Sequence, residues 1–405
     1  MVAEDSWDGK TRHHIKMVLG VLGALVGMTK VHYSRTAVDS WTFRLHYRVT
    51  TTFCLAAAAL VTAADFVGKP IQCLVGYKSA PKPITTYCWI SSSFTINSTW
   101  PIPGIGPVNK YHEQTFHAYY QWVTAVLFLQ AFLFYLPHFI WKNLEGKQVD
   151  LLLQDLNKNL IDDDSKQKRE NILKYLKDSW GLNIKYSMGY FVCEILNLVN
   201  VVGQMFLIDK FLGGIFFSYG TKVFSLLSAD AELRSDPVIE TFPRVTKCTF
   251  RKYGASGTLV QEDALCVLPQ NIINEKIYFI MWLWFIILTI ISALQIIWRL
   301  VLYSSSYLRV RLLSHRAKMP ASLKLEQTVR LMHLGDYCLL DSIGRNLDPL
   351  NFRNILDGVT MAAEEVHEAT APVMDSYRPL YPSPEVETLP RKRYIDQPDL
   401  ATVIQ

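Results

Sequence analysis

Apolar residues in this chain collect into four long runs separated by polar stretches. The first extends from Val49 to about Ala64 and continues to Val67 past the single charge of Asp65. The second extends from Ala118 to Ile140 and closes on Trp141 and Lys142. The third, Tyr186 to Ile208, carries Glu194 inside it and closes on Asp209 and Lys210. The fourth, Ile277 to Ile297, is uncharged and ends on Trp298 and Arg299. Crossing the ~30 Å hydrocarbon core takes about 20 apolar residues. The runs therefore predict transmembrane helices over 49–67, 118–141, 186–208 and 277–298, and an even number of spans puts both termini on one side.

The stretches between the runs differ in kind. Residues 68–117 and 209–276 read as loops on one side. On the other side, Leu156, Leu160, Ile172, Leu173 and Leu176 within 142–185 recur at helical spacing, and Leu323 to Val359 within 299–365 repeats that pattern. These predict a helical domain. From about Thr370 the chain is Pro-rich and polar, so 366–405 reads as a disordered tail. At the head of the second run stand Tyr119, Tyr120, Gln121, Trp122 and Val123. Amphipathic rings settle at headgroup depth, so this cluster reads as an interfacial anchor.

Composition agrees with a membrane protein: 50% of residues are apolar and 19% charged. Lys and Arg give the orientation. Residues 1–48 hold seven and the 142–185 loop nine, against four in 68–117 and eight in 209–276. Both termini then lie in the cytoplasm. Met17 to Thr29 has the shape of a signal peptide behind Lys10, Arg12 and Lys16. Cleavage there would turn the basic flanks outward and the loop cysteines inward, so the stretch reads instead as a re-entrant or amphipathic segment.

Of seven cysteines, Cys73 and Cys88 fall in the first outer loop and Cys248 and Cys266 in the second, with none in the inner loop. That partition suits disulfides in an oxidising compartment, and the residues alone leave three pairings open. Asn97-Ser98-Thr99 is a glycosylation sequon in the first outer loop.

Several ordered motifs resemble the innexins, the invertebrate gap-junction channel proteins. They include Phe43-Arg44-Leu45-His46-Tyr47-Arg48-Val49-Thr50, Val67-Gly68-Lys69-Pro70-Ile71-Gln72-Cys73 and Tyr119 to Val123. Phe211-Leu212-Gly213-Gly214, Thr246-Lys247-Cys248, Asp263 to Pro269 and Asn271 to Tyr278 continue the likeness. Met1 to Lys16 is an extension, and Thr124 and Gln270 depart from the family's usual proline and apolar residue. The resemblance implies an all-α membrane protein with four transmembrane helices, a helical cytoplasmic domain and a disulfide-linked extracellular cap with room for a short β-sheet. It further implies nested bridges, Cys73 with Cys266 and Cys88 with Cys248, pairing within each loop being the alternative. Copies would form a ring, homomeric or mixed with other innexin-like subunits and octameric by analogy, that docks with a ring of the apposed cell.

The resemblance also points the N-terminal segment and the first span at the pore. Met17, Thr50, Thr51 and Asp65 are the lining candidates, although the Thr- and Ala-rich helix suits close packing equally well. A ring of Asp65 carboxylates would favour cations; the plainer role is an interfacial acid near Lys69. Glu194, Asn197, Asn200 or Val201, and Gln204 share one helix face, fitting an ion path or, more plainly, interhelical hydrogen bonds. No phosphate loop, nucleophile elbow or zinc spacing occurs, so neither an enzyme nor a cofactor nor a nucleic-acid partner is expected. An intercellular channel, an undocked channel releasing small molecules, and a non-conducting adhesion protein remain.

Overall fold

Among the described residues, four helices are long and apolar enough to cross a membrane, one for each apolar run. The computed structural model describes residues 36–67, 69–76, 81–96, 105, 114–153, 163–227 and 241–376. Met17 and Asn97 lie outside them.

The first span starts at Trp41, earlier than the apolar run. Ser40 caps a short turn, α1 (Trp41–Arg44), by accepting from the Phe43 amide at 3.2 Å. A wide π turn, Leu45–Thr50, then leads into α2 (Thr51–Val67). The polar rings at its start hid this first part. His46 is fully buried against Ser292 Oγ at 2.8 Å, and Tyr47 stacks on His138 with centroids 3.7 Å apart. These rings are buried in protein, where they count as core and not as a flank.

A short helix, α3 (Pro81–Ser91), follows in the first loop, and the second span is α4 (Val123–Glu145), unbroken at Pro137. After α5 (Gln148–Leu152) and α6 (Asp163–Asp178) comes the third span, α7 (Ile184–Phe211). A further helix, α8 (Phe216–Leu227), occupies part of the stretch read as loop. The fourth span, α9 (Gln270–Ser304), begins at Gln270, before the apolar run that starts at Ile277. Ala57, Ala58, Val61, Leu127, Phe134, Val201, Phe285 and Leu288 make the core shared by the four spans.

At one end of the spans α5 and α6 pack with α10 (Ser306–Ala317), α11 (Leu323–Leu331), α12 (Leu334–Asn346) and α13 (Pro349–Ser376). One core runs from Trp141, Tyr186 and Tyr190 on the spans to Tyr337, Leu340 and Phe352 on these helices. The tail expected over 366–405 is corrected at its start, because α13 continues to Ser376. The Met361-Ala362-Ala363-Glu364-Glu365 stretch just before that boundary is a strong helix former, which favours the helix running on past it. Residues 377–405 lie outside the described residues.

A five-stranded antiparallel sheet stands at the other end: β1 (Gln72–Leu74), β2 (Ser93–Ile96), β3 (Gln114–His117), β4 (Val245–Tyr253) and β5 (Leu259–Val267). Its order is β1-β5-β4-β2-β3, so strands from both loops interleave in one sheet.

Among the contacts that fix the helical domain to the third span, one is especially close. Asp336 accepts from the Gly181 amide and from Asn183 Nδ2, both at 2.8 Å. A Cβ on neighbouring Gly335 would stand 2.3 Å from the Asn183 carbonyl carbon, closer than real contacts allow. Gly335→Ala is expected to destabilise the purified protein by about 1–3 kcal/mol, read as a lower thermal unfolding midpoint. Gly203→Ala, whose added methyl meets nothing within 4 Å, should leave the midpoint close to wild type.

Candidate functional site

The sheet end is held together by two bridges. Cys73 on β1 is bonded to Cys266 on β5, and Cys88 on α3 to Cys248 on β4. Partners are 193 and 160 residues apart, so each bridge joins the first loop to the second. The sulfurs of Cys73, Cys88 and Cys266 lie within 4.8 Å of one another, which puts the bridges side by side. Oxidised sulfur carries no thiolate charge, so this cluster is covalent structure and not a metal site.

The Tyr119 to Val123 cluster meets the bridges directly. Tyr119 to Gln121 form a 3-10 turn at the head of α4. Tyr120 is buried in the core of the bridges with Ile71, Ile84 and Leu268. Its hydroxyl donates to the Cys88 carbonyl at 3.3 Å, and its ring lies 4.8 Å from Trp89. Gln121 Nε2 donates to the carbonyls of Trp89 and Ile90, the latter at 3.2 Å. Tyr119 stands edge-on to Phe242 at 5.7 Å and Phe211 at 6.4 Å, while Val123 is fully buried. Trp122 points outward, 62% exposed. Tyr120 and Gln121 therefore seat α3 and its bridge on top of the second span.

The first span's polar candidates face other helices. Thr50 is fully buried; its Oγ1 donates to the Leu45 carbonyl at 3.0 Å and accepts from Trp284 Nε1 at 2.8 Å. Thr51, also buried, donates to the Ala131 carbonyl at 3.4 Å. Neither threonine lies on an open face of the protomer, whereas Thr52, Ala56 and Leu60 do. Asp65 is half-buried beside Gln270.

In the third span, Glu194 is ion-paired with Arg299 of the fourth, at 3.0 Å from Arg299 Nε, and accepts from Gln295 at 3.3 Å. The Arg299 guanidinium lies 5.0 Å from the Tyr190 ring. Glu194 is thus an interhelical tie, the plainer of the two readings of that polar face. Arg299 closes the fourth apolar run, and the signal for its pairing in the sequence is Glu194 itself, since an acid inside an apolar run needs a partner.

A model of the innexin family matches residues 39–363. Innexin shaking-B of Drosophila melanogaster is 40% identical over 354 residues, 84% of this chain and 93% of its own. Innexin inx2 of the same species is 39% identical over 351 residues, covering 84% and 95%. Innexin inx2 of Schistocerca americana is 39% identical over 350 residues, covering 83% and 96%. The chain belongs to the innexin family. As an innexin it is a gap-junction channel subunit, a member of a channel family and not of an enzyme family.

In this innexin the bridges and the motif turn define the cap as the best-organised candidate site. The sequence missed the contact between Tyr120 and Cys88, because nothing local links a span's first turn to a helix in the preceding loop. Tyr120→Phe should cost about 1 kcal/mol through the lost hydrogen bond. Tyr120→Ala, which empties a ring-sized space in the core of the bridges, should cost roughly 3–5 kcal/mol. Amide hydrogen exchange of α3 and β4 reads this graded loss of protection; equal protection in both variants would contradict it.

His117, on β3, bonds through Nε2 to Thr95 Oγ1 at 2.8 Å, and burial lowers its pKa to about 4. Above pH ~6.5 the imidazole is neutral in the folded and the opened cap alike. As pH falls from there towards about 4, only the opened cap binds the proton, so the folded cap loses stability. The loss levels off near ~3 kcal/mol below that range. A pH series of hydrogen exchange in β2 and β3 should show it, and His117→Gln should flatten it.

Proposed function

We propose that copies of this innexin form a ring, octameric by analogy with the family, whose caps face the cell exterior and dock with a ring on an apposed cell. Ions and small metabolites then pass between the cells through one continuous pore. Both termini lie in the cytoplasm in this reading, supported by the basic flanks and by bridges confined to one end of the spans. Subunits of one kind or of several innexins fit it equally.

The observation that carries the reading is a rooted hairpin. β4 and β5 pair from Val245 with Val267 to Tyr253 with Leu259. Their neighbours reach only the root: β1 pairs with residues 265–267 of β5, and β2 meets β4 at Lys247. Beyond Cys248 the hairpin has no strand on either edge among the described residues, and its tip exposes Leu259, Val260 and Tyr253, the last at 78%. Free edges and exposed apolar side chains are what a second polypeptide pairs with. A two-stranded ribbon is marginal alone, and here both strands are bridged at the root.

The second reading, an undocked channel releasing small molecules, is favoured by the Asn97 sequon, since a glycan on an outer loop would obstruct docking. Dye transfer between paired expressing cells separates the two. Docking predicts transfer in wild type and its loss in Tyr253→Asp with Leu259→Asp, at unchanged surface expression. Uptake by single cells without transfer would establish the undocked channel instead, and no dye movement at all would leave adhesion.

A further inference from the structure

Helix α8 occupies part of the stretch after the third span that reads as an outer loop, yet its neighbours are membrane residues. Trp282 Nε1 donates to the Phe217 carbonyl at 3.4 Å. The Phe224 ring lies 5.9 Å from Phe279 and 6.3 Å from Trp282. A Cβ on Gly220 would stand 2.2 Å from the Trp282 ring, so glycine is what lets α8 lie flush on α9. On its other flank Phe217 meets Phe206 of α7 edge-on at 5.2 Å.

Phe206, Phe279 and Trp282 all belong to apolar runs that cross the bilayer. At 1.5 Å per residue, Phe279 stands about 3 Å and Trp282 about 7.5 Å inside the apolar run that begins at Ile277. A helix that touches these three residues shares their depth. Its own chemistry suits that depth. The Ser218 hydroxyl donates to the Ile215 carbonyl at 3.1 Å and the Thr221 hydroxyl to the Ser218 carbonyl at 2.9 Å, so neither needs water. Lys222, the single charged residue of the helix, has a stem long enough to carry its ammonium to the headgroups.

We propose that α8 is a membrane-embedded helix, lying in the leaflet on the cap side with Phe206, Phe217 and Phe224 presented to lipid acyl chains. These rings are 61%, 42% and 47% exposed. They extend a stripe of exposed apolar residues along α7, Met188, Val192 and Val199, whose spacing keeps them on one helix face. The opposite side of α8 leads to the cap. Buried Tyr219 donates to the Glu275 carbonyl at 3.3 Å and meets Phe242 at 5.6 Å; Phe242 in turn contacts Tyr119. Lipid therefore bears on a helix whose inner face is ring-packed against the motif that seats the bridges. The proposal requires only the four spans and holds whether or not rings dock.

Spin labels on Phe217→Cys and Phe224→Cys, in the full-length protein reconstituted in phosphatidylcholine vesicles, test it through collision rates with oxygen and with a water-soluble nickel chelate. The unsubstituted chain, treated with the same label, is the blank. Thr221→Cys, a smaller change on the exposed side of the helix, serves if either variant fails to assemble. Lipid exposure predicts oxygen collisions severalfold above those with the chelate, and the reverse at Tyr253→Cys on the hairpin tip. Chelate-dominated collisions on α8 would make it a solvated loop helix, and low rates with both reagents would make it a subunit contact; either result overturns the proposal.

Discussion

Everything at the sheet end hangs on the insertion of Tyr120 beside the Cys88–Cys248 bridge. The bridges tie the loops to each other, and that ring with the Gln121 hydrogen bonds seats α3 and its bridge on the second span. A disulfide closing a long loop is worth about 2–4 kcal/mol, chiefly by restricting the opened chain. A buried aromatic ring contributes a similar amount through packing. Comparable magnitudes from independent sources make the cap one unit with the second span, the base that the hairpin needs if its tip is to dock as proposed.

The opposite end is tied by polar contacts. Ser40 donates its amide to the Tyr190 hydroxyl at 2.9 Å, Thr36 donates to Asp150 at 2.8 Å, and Ala37 bonds to the side chain of Asn346. The chain entering the first span is thereby fixed to the third span and to two helices of the domain. Glu194 and Arg299 lock the third span to the fourth just above it. Removing one member of a buried pair leaves an uncompensated charge, costing roughly 3–5 kcal/mol, so this tie resists rearrangement of the two spans. The protomer is thus tied across its elements at both ends.

Legibility in the sequence followed the range of the interactions. Spans, helical domain and loop cysteines are written in runs, periodicity and partition, and all were readable. The motif turn at Tyr119 to Val123 was legible as an anchor from its rings, but its grip on α3 was not, because it joins residues about 30 apart through backbone carbonyls. Thr50 and Thr51 show the limit from the other side. Hydroxyls on a small-residue helix fit a wet pore or a packed interface equally, and their partners, Trp284 and Ala131, stand on other spans. Helix α8 was missed because Phe216 to Leu227 is too short to register as a span and lies inside a long loop. The bridge pairing came only through family likeness, since cysteine positions alone leave three arrangements.

The central claim, that a cap bridged into one unit is what joins two cells, is tested most directly by junctional conductance between paired cells expressing Cys88→Ser with Cys248→Ser. Surface protein and single-membrane current are measured in parallel. The account predicts surface delivery with junctional conductance abolished, because the hairpin loses its anchor to α3. Normal junctional conductance in that variant would contradict it.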